Sequence, residues 1–484
     1  MRTLFEKSTP CRKGMCNNLT TSKAADYLPA EMMRGSRVRL PELGELDVVR
    51  HFTRLSKRNF GVDGNFYPLG SCTMKYNPKF TENVAALPGF TRLHPLAAQL
   101  KGAGHFTQGA LEVMYDMESL LCEITGMAGY TLHPMAGAHG ELTGAMIIAA
   151  YHKSKGNKKT KIICPDSAHG TNPASAALAG FDVVTIESKD GIVDPEALRA
   201  ALDDEVAGVM LTCPNTLGLF ESHLPEIVKM IHDVDALLYY DGANMNAIMG
   251  KMRVGDAGFD VVHWNLHKTL GTPHGGGGPG SGPVGVCEKL VPFLPISRVK
   301  KLEDGRYVLD YDHPQSIGYM APFYGNFGVM LKAYAYVLRL GGEGLTRASE
   351  NAVLSANYMR KRLEDVLEIP YNRICMHEFV ASAVGEKLNG VRALDIAKAL
   401  LDKGHHAPTI YFPLIVKECM MMEPTETECK DTLDGFLDDL IEIVKRAETD
   451  PDSIKAAPVT LPVTRLDETK AARDMVLTDD CGCE

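Results

Sequence analysis

The chain has 484 residues, 45% of them hydrophobic, and a formal net charge of −10. That length suits one large domain with a smaller companion, and the apolar share is enough for a sizeable core, which excludes a disordered chain. The acidic balance leaves no basic footprint and argues against nucleic acid as the main partner.

Residues 1–80 are rich in Pro, Gly and Arg and read as an irregular arm. Their charged start (Arg2, Glu6, Lys7, Arg12, Lys13) lacks the apolar core of a secretory signal. No run approaches the ~20 apolar residues of a membrane span. A cytoplasmic protein with no membrane partner is therefore expected. The spacing of Leu111, Met114, Met117, Leu120, Leu121 and Ile124 predicts a helix. A second helical run, 142–151, follows the small-residue turn Met135–Glu141. Short apolar runs at 161–164, 183–186, 206–211 and 237–240 then alternate with helical stretches, among them 195–202 and 224–232. This alternation predicts an α/β domain with a mainly parallel sheet, whose ligands gather outside the carboxyl ends of the strands.

A long helix near 325–340 is expected to lead into a smaller C-terminal α+β domain, where 374–383, 391–403 and 432–446 read as strand, helix and helix. The organisation is then an arm (1–80), a large domain (81–330), a small domain (331–473) and a tail (474–484). Twelve cysteines are scattered without the spacing of a metal site or a disulfide framework, so reduced thiols and no metal are expected. Cys481-Gly482-Cys483 reads as the end of a frayed tail.

The chemistry concentrates around Asn265-Leu266-His267-Lys268-Thr269 and the loop Pro273–Gly280 behind it. A lysine attacks a carbonyl only when neutral, and burial beside other cations makes it so. The aldehyde that most often sits on such a lysine is pyridoxal phosphate, PLP. PLP acts as an electron sink while its pyridine nitrogen is protonated, which a nearby carboxylate favours. Asp241, at the end of an apolar run 27 residues before the lysine, is the candidate, and the interval has room for a helix and a return strand. His169, in the loop after 161–164, could lie against the ring. The turn before the 142–151 helix, around Ala138 and His139, could offer backbone amides to a phosphate.

These motifs, with Tyr67–Lys75, Pro214–Glu221, Met376–Val380 and His406–Thr409, resemble the glycine decarboxylase P-protein of the glycine cleavage system. The resemblance runs to about Arg473 and is to subunit 2 of the two-subunit form. It implies a type I PLP-dependent transferase fold of the aspartate aminotransferase kind. It also implies decarboxylation of glycine, transfer of the aminomethyl group to the lipoyl arm of the H-protein, and release of CO2. By the same resemblance Lys268 is the Schiff-base lysine, Asp241 the pyridinium partner and His169 the stacking residue. Ala138 and His139 cradle the phosphate, and Ala243, Thr216 and His267 complete the cofactor contacts. A sister chain, P-protein subunit 1, is implied in a heterotetramer of two chains of each kind.

Thr73, Lys75, His377 and His406 are candidates for lining a channel to the lipoyl arm. Arg92, His94 and Arg373 are weaker candidates for gripping the glycine carboxylate. Serine hydroxymethyltransferase and threonine aldolase, which also set His-Lys-Thr before a glycine loop, are the nearest rivals. A scaffold subunit that has lost the cofactor is a rival of another class, opposed by the presence of both Lys268 and Asp241.

Overall fold

The computed structural model describes residues 2–10, 12, 26–35, 40–100 and 104–476, so the Cys481-Gly482-Cys483 tail lies outside the described residues. The chain forms two compact units, Met1–Gly64 with Arg465–Glu484, and Asn65–Thr464. The first unit is less irregular than its composition suggests. It contains a helix, Glu45–Ser56, with apolar side chains at Leu46, Val49, Phe52 and Leu55, a helical spacing that the surrounding Pro and Arg residues conceal.

The second unit is built on a seven-stranded sheet. Its strands are β1 (Gly129–Thr131), β2 (Lys161–Pro165), β3 (Asp182–Ile186), β4 (Val206–Thr212), β5 (Leu237–Gly242), β6 (Val261–Trp264) and β7 (Val284–Val286). Their order across the sheet is β1-β7-β6-β5-β4-β2-β3. The pairs from β3 to β6 are parallel, and β7 runs antiparallel to both its neighbours. β5 is buried along its whole length and β4 up to Thr212. Helices cover both faces of such strands, so they read as unbroken apolar runs.

The helices that matter for the site are α1 (Gln108–Thr125), α2 (Gly137–Ser154), α3 (Thr171–Leu178), α4 (Leu266–Thr269) and α5 (Phe327–Leu363). α2 lies flat on the sheet because its inner face is glycine. A Cβ at Gly137, Gly140 or Gly144 would come within 2.5 Å of Asn265, 2.6 Å of the Gly282 carbonyl or 2.4 Å of Tyr239. α5 continues well past the expected 325–340 and changes direction at Gly341 (φ 62). The interval between β5 and β6 has room for a helix, but residues 243–260 run through turns. Asn244 accepts from the Asn246 N–H at 2.8 Å, and the Met245 N–H goes to Thr269 Oγ1 at 2.9 Å. These bonds take up amides that a helix would need.

A smaller antiparallel sheet, β8 (Phe379–Ser382), β9 (Thr409–Ile410) and β10 (Cys419–Met422), is ordered β8-β10-β9. It packs with α6 (Ala393–Asp402) and α7 (Lys430–Thr449) over a core that includes Phe379, Met420, Met422, Phe436 and Leu440. The stretch 67–75 is stitched along β10. Leu69 bridges Met422, the Gly70 N–H donates to Met421 O at 3.2 Å, and the Glu423 N–H donates to Pro68 O at 3.2 Å.

One glycine ties the two sheets together. Gly218, in the turn after β4, has φ 76, and a Cβ there would sit 1.8 Å from the Glu378 carbonyl. Its own carbonyl accepts from the Met376 N–H at 2.8 Å. Gly218→Ala is expected to cost roughly 2–4 kcal/mol from overpacking and the left-handed backbone, read as a lower urea midpoint at unchanged m-value.

Candidate active site

Lys268 lies in α4, one turn beyond β6, half-buried. Its Nζ donates to the Ser71 carbonyl at 2.7 Å. The Ser71 N–H donates to Glu378 Oε2, also at 2.7 Å. One residue thus joins the amine and a buried carboxyl through its two backbone groups. Ser71 (φ 62) and Thr73 (φ 50) are both left-handed, a conformation that costs non-glycine residues of order 1–3 kcal/mol. Glu423 offsets that cost by accepting from the Thr73 N–H at 2.9 Å and from the Thr73 hydroxyl at 2.7 Å.

Asp241 ends β5 beside the lysine's strand. It is 3% exposed and accepts from the Ala243 N–H at 3.0 Å and the Thr212 hydroxyl at 3.3 Å. Burial pushes its carboxyl up, but His263, the Ala243 N–H and Lys268 together hold it below the usual value, so it stays ionised. His263 Nε2 lies 3.5 Å from Asp241 Oδ1. Burial brings this histidine down to about 4, and its Nδ1 is 2.6 Å from the Tyr239 hydroxyl. This neutral ring lies between tyrosine and aspartate, while the Ala243 N–H and the Thr212 hydroxyl fix the carboxylate's direction.

The start of α2 opens toward the same space. No side chain caps this helix, so its first amides remain available to an anion. One turn in, Glu141 accepts from Thr171 Oγ1 at 2.8 Å and Ser175 Oγ at 3.3 Å. Burial, reinforced by Asp241, raises it to about 8. Glu141 is therefore mostly neutral at pH 7. A carboxyl raised on folding contributes stability below its unfolded pKa and loses it as pH rises through the folded one. In cofactor-free protein, Glu141→Gln is expected to flatten the fall in melting temperature between pH 5 and pH 8. The difference corresponds to at most about 5 kcal/mol, and parallel melting curves for both proteins check it.

A cavity of about 170 Å³ collects these groups. Among the residues expected from sequence, Lys268, Asp241, His169, Ala243, Ala138 and Thr216 line it. His169 stands at its exposed rim, with Nδ1 2.9 Å from Thr171 Oγ1. Thr216 donates its hydroxyl to Ser167 O at 2.8 Å. The His139 and His267 side chains are not part of the lining. His139 Nδ1 accepts from the Met135 N–H at 3.3 Å, and His267 Nδ1 accepts from the Ser281 N–H at 3.2 Å. Both rings brace loops behind the cavity, leaving only the His139 backbone near the start of α2.

His377 lines the cavity; Thr73, Lys75 and His406 do not. Thr73 and Lys75 are buried, and His406 stacks on Tyr67 at 4.1 Å between centroids. Arg373 donates to the Asp190 carbonyl at 3.2 Å, and His94 faces a larger, mainly apolar cavity walled by Phe90, Leu93, Met114 and Phe327. Ser71, Glu141, Asn265 and Glu378 also line the site, and sequence reasoning assigned them no role. The motif Tyr67–Lys75 was the one signal for Ser71, whose contribution is backbone and carries no side-chain signature.

The lining fits an anionic, aromatic aldehyde such as PLP. A Cβ at Gly137 would fill the cradle at the uncapped helix start. Lys268 and an ionised Asp241 face the same space.

The family described as "Glycine cleavage system P-protein" matches residues 23–304, and "Glycine dehydrogenase, C-terminal domain" matches residues 348–458. A relative from Caldanaerobacter subterraneus subsp. tengcongensis, "Probable glycine dehydrogenase (decarboxylating) subunit 2", is 60% identical over 454 residues, 93% of this chain and 92% of its own. One of the same description from Listeria monocytogenes serotype 4b is 53% identical over 482 residues, covering 99% and 98%. Among solved structures, an inhibitor-bound "glycine decarboxylase (P-protein) of the glycine cleavage system" superposes with TM-score 0.72 at 20% identity, covering 87% of this chain and 94% of that one. An aspartate aminotransferase from Thermus thermophilus superposes with TM-score 0.56 at 14% identity, covering 79% and 99%. The fold is that of the type I PLP-dependent enzymes.

Proposed function

The chain belongs to the glycine cleavage system P-protein family, in its subunit 2 form, and we propose that Lys268 and Asp241 are the two poles of its catalytic site. The reaction is decarboxylation of glycine with passage of the aminomethyl group to a carrier. PLP, when bound, supplies an electron sink for the pair left behind when CO2 departs.

The chain's own residues have separable tasks. Lys268 offers the amine that holds the cofactor aldehyde, and the Ser71 carbonyl orients it. Asp241, kept ionised inside the protein, would hold a proton on the pyridine nitrogen, while the Ala243 N–H and the Thr212 hydroxyl keep the carboxylate aimed. The α2 amides at Ala138 and His139 would receive the phosphate, and Ala243 and Thr216 line the same cavity. His169, at the cavity's rim, would lie against one face of the ring. His267 acts from behind, tying the Ser281 backbone to the helix that carries the lysine.

The observation that carries this reading is the meeting of Lys268, Asp241 and an uncapped helix start in one cavity. The carrier is the lipoyl arm of an H-protein. The sister chain, P-protein subunit 1, completes the enzyme as a heterotetramer of two chains of each kind, in the cytoplasm. No helix among the described residues is long and apolar enough to cross a membrane.

The test is release of CO2 from carboxyl-labelled glycine by this chain with its sister subunit, PLP and lipoylated H-protein. Release that requires all four components is expected. Turnover of serine with folate, or of threonine, without lipoyl-dependent CO2 release would contradict the reading.

A further inference from the structure

Glu378 immediately precedes β8 and Glu423 immediately follows β10. The antiparallel register pairs Phe379 with Met422, so the next residues out, Glu378 and Glu423, face each other. With His377 they place ligand atoms within 4.8 Å of one another. All three are buried: His377 is 1% exposed, Glu378 3% and Glu423 0%. Two carboxylates so close and so dry cannot both be ionised.

Their hydrogen bonds decide which one keeps the proton. Glu423 accepts from the Thr73 N–H, the Thr73 hydroxyl and Asn244 Nδ2, at 2.9, 2.7 and 2.8 Å. Glu378 accepts only from the Ser71 N–H among its recorded bonds. More donors favour the charged form, so Glu423 is the carboxylate and Glu378 the carboxylic acid. Glu378 and His377 both line the cavity that holds Lys268, and neither ring nitrogen of His377 has a hydrogen-bond partner. A buried imidazole without a hydrogen bond, its Nε2 3.5 Å from Glu378 Oε1, beside a protonated carboxyl, both facing the reaction space, points to a proton acceptor that enters with the substrate.

We propose that Glu378 is the acid that protonates the departing sulfur when a lipoyl dithiolane is opened at this site, with Glu423 as its charged partner and His377 as the positioning residue between carboxyl and arm. The inference rests on the glycine-decarboxylating reading above. The glycine-derived carbon bonds to one sulfur, the S–S bond breaks, and its electron pair goes to the other sulfur. That sulfur takes the Glu378 proton, and the carboxylate left behind regains a proton from solvent, one per turnover. The other titratable groups facing Glu378 are Lys268, which favours its ionisation, and Cys72, Cys375 and Cys419. Burial pushes those three thiols up, so they remain neutral.

Glu378→Gln keeps an acceptor for the Ser71 N–H and loses the proton. In the cofactor-free tetramer, the infrared difference spectrum between wild type and E378Q at pH 7 should contain a protonated-carboxyl band lost in the variant. In the holoenzyme, transfer to lipoylated H-protein should fall ~10²–10⁴-fold in E378Q, with part of it restored by E378D and with borohydride labelling of Lys268 unchanged. E423Q removes the neighbouring charge, lowers the Glu378 pKa and should move the alkaline fall-off of transfer to lower pH. That shift decides the matter if E378Q does not assemble. No band difference, undiminished transfer in E378Q, or an unmoved or raised fall-off in E423Q overturns the proposal. A wild-type enzyme that never releases CO2 from glycine defeats the preceding reading instead.

Discussion

Lys268→Ala is expected to remove turnover to background and to leave reconstituted protein without the visible absorbance of bound PLP. Lys268 is the one lysine among the described residues lining the cavity, so no second amine stands where it could take over the aldehyde. The fold should survive. The side chain is half-buried and makes a single recorded hydrogen bond, to Ser71 O, worth about 1 kcal/mol net. Lys268→Arg sharpens the test: it retains a cation near Asp241, Glu378 and Glu423 but no amine that can condense with an aldehyde at neutral pH. If alanine and arginine are equally dead while both melt near wild type, the lysine's contribution is covalent. If arginine retains substantial glycine-dependent CO2 release, the contribution is electrostatic and the assignment is wrong.

Lys75→Met is expected to cause the largest loss of stability. Lys75 is 2% exposed, and its Nζ reaches Glu426 Oε1 at 2.5 Å, Tyr336 OH at 3.2 Å and Asn246 Oδ1 at 3.4 Å. Burial alone would lower its pKa, but Glu426 outweighs that and raises it, so the ammonium is retained. Removing one partner strands a buried charge and costs ~3–5 kcal/mol. Lys75→Met with Glu426→Leu should recover much of the loss, because no charge is then left unpaired, and urea unfolding of the single and double variants checks both statements. The same segment carries Ser71, so the single variant should also weaken PLP retention. A stability loss without any change in cofactor retention would show that the Ser71 turn is held by Glu378 and Glu423 alone.

The central parallel strands β2, β4 and β5 were legible in the sequence because they are buried along almost their whole length and contain mostly apolar side chains. The convergence of Lys268, Asp241, His169 and Ala138 was legible because strand ends in a parallel sheet open on one edge. The turns that fill the interval between β5 and β6 were not, because Asx-type bonds at Asn244 compete for amides in a way that apolar spacing does not register. The roles of Ser71 and Glu378 were hidden by distance: they meet across 307 residues, through a backbone N–H on one side. His139 and His267 illustrate the converse. Each sits in the right motif, but its ring turns to a loop amide rather than to the cavity.

The most direct test is mass spectrometry of the PLP-reconstituted protein after borohydride reduction and proteolysis. The pyridoxyl mass should appear on the peptide that contains Lys268. An adduct on any other side chain, or none after reconstitution with the sister subunit, would contradict the central claim that this amine anchors the cofactor opposite Asp241.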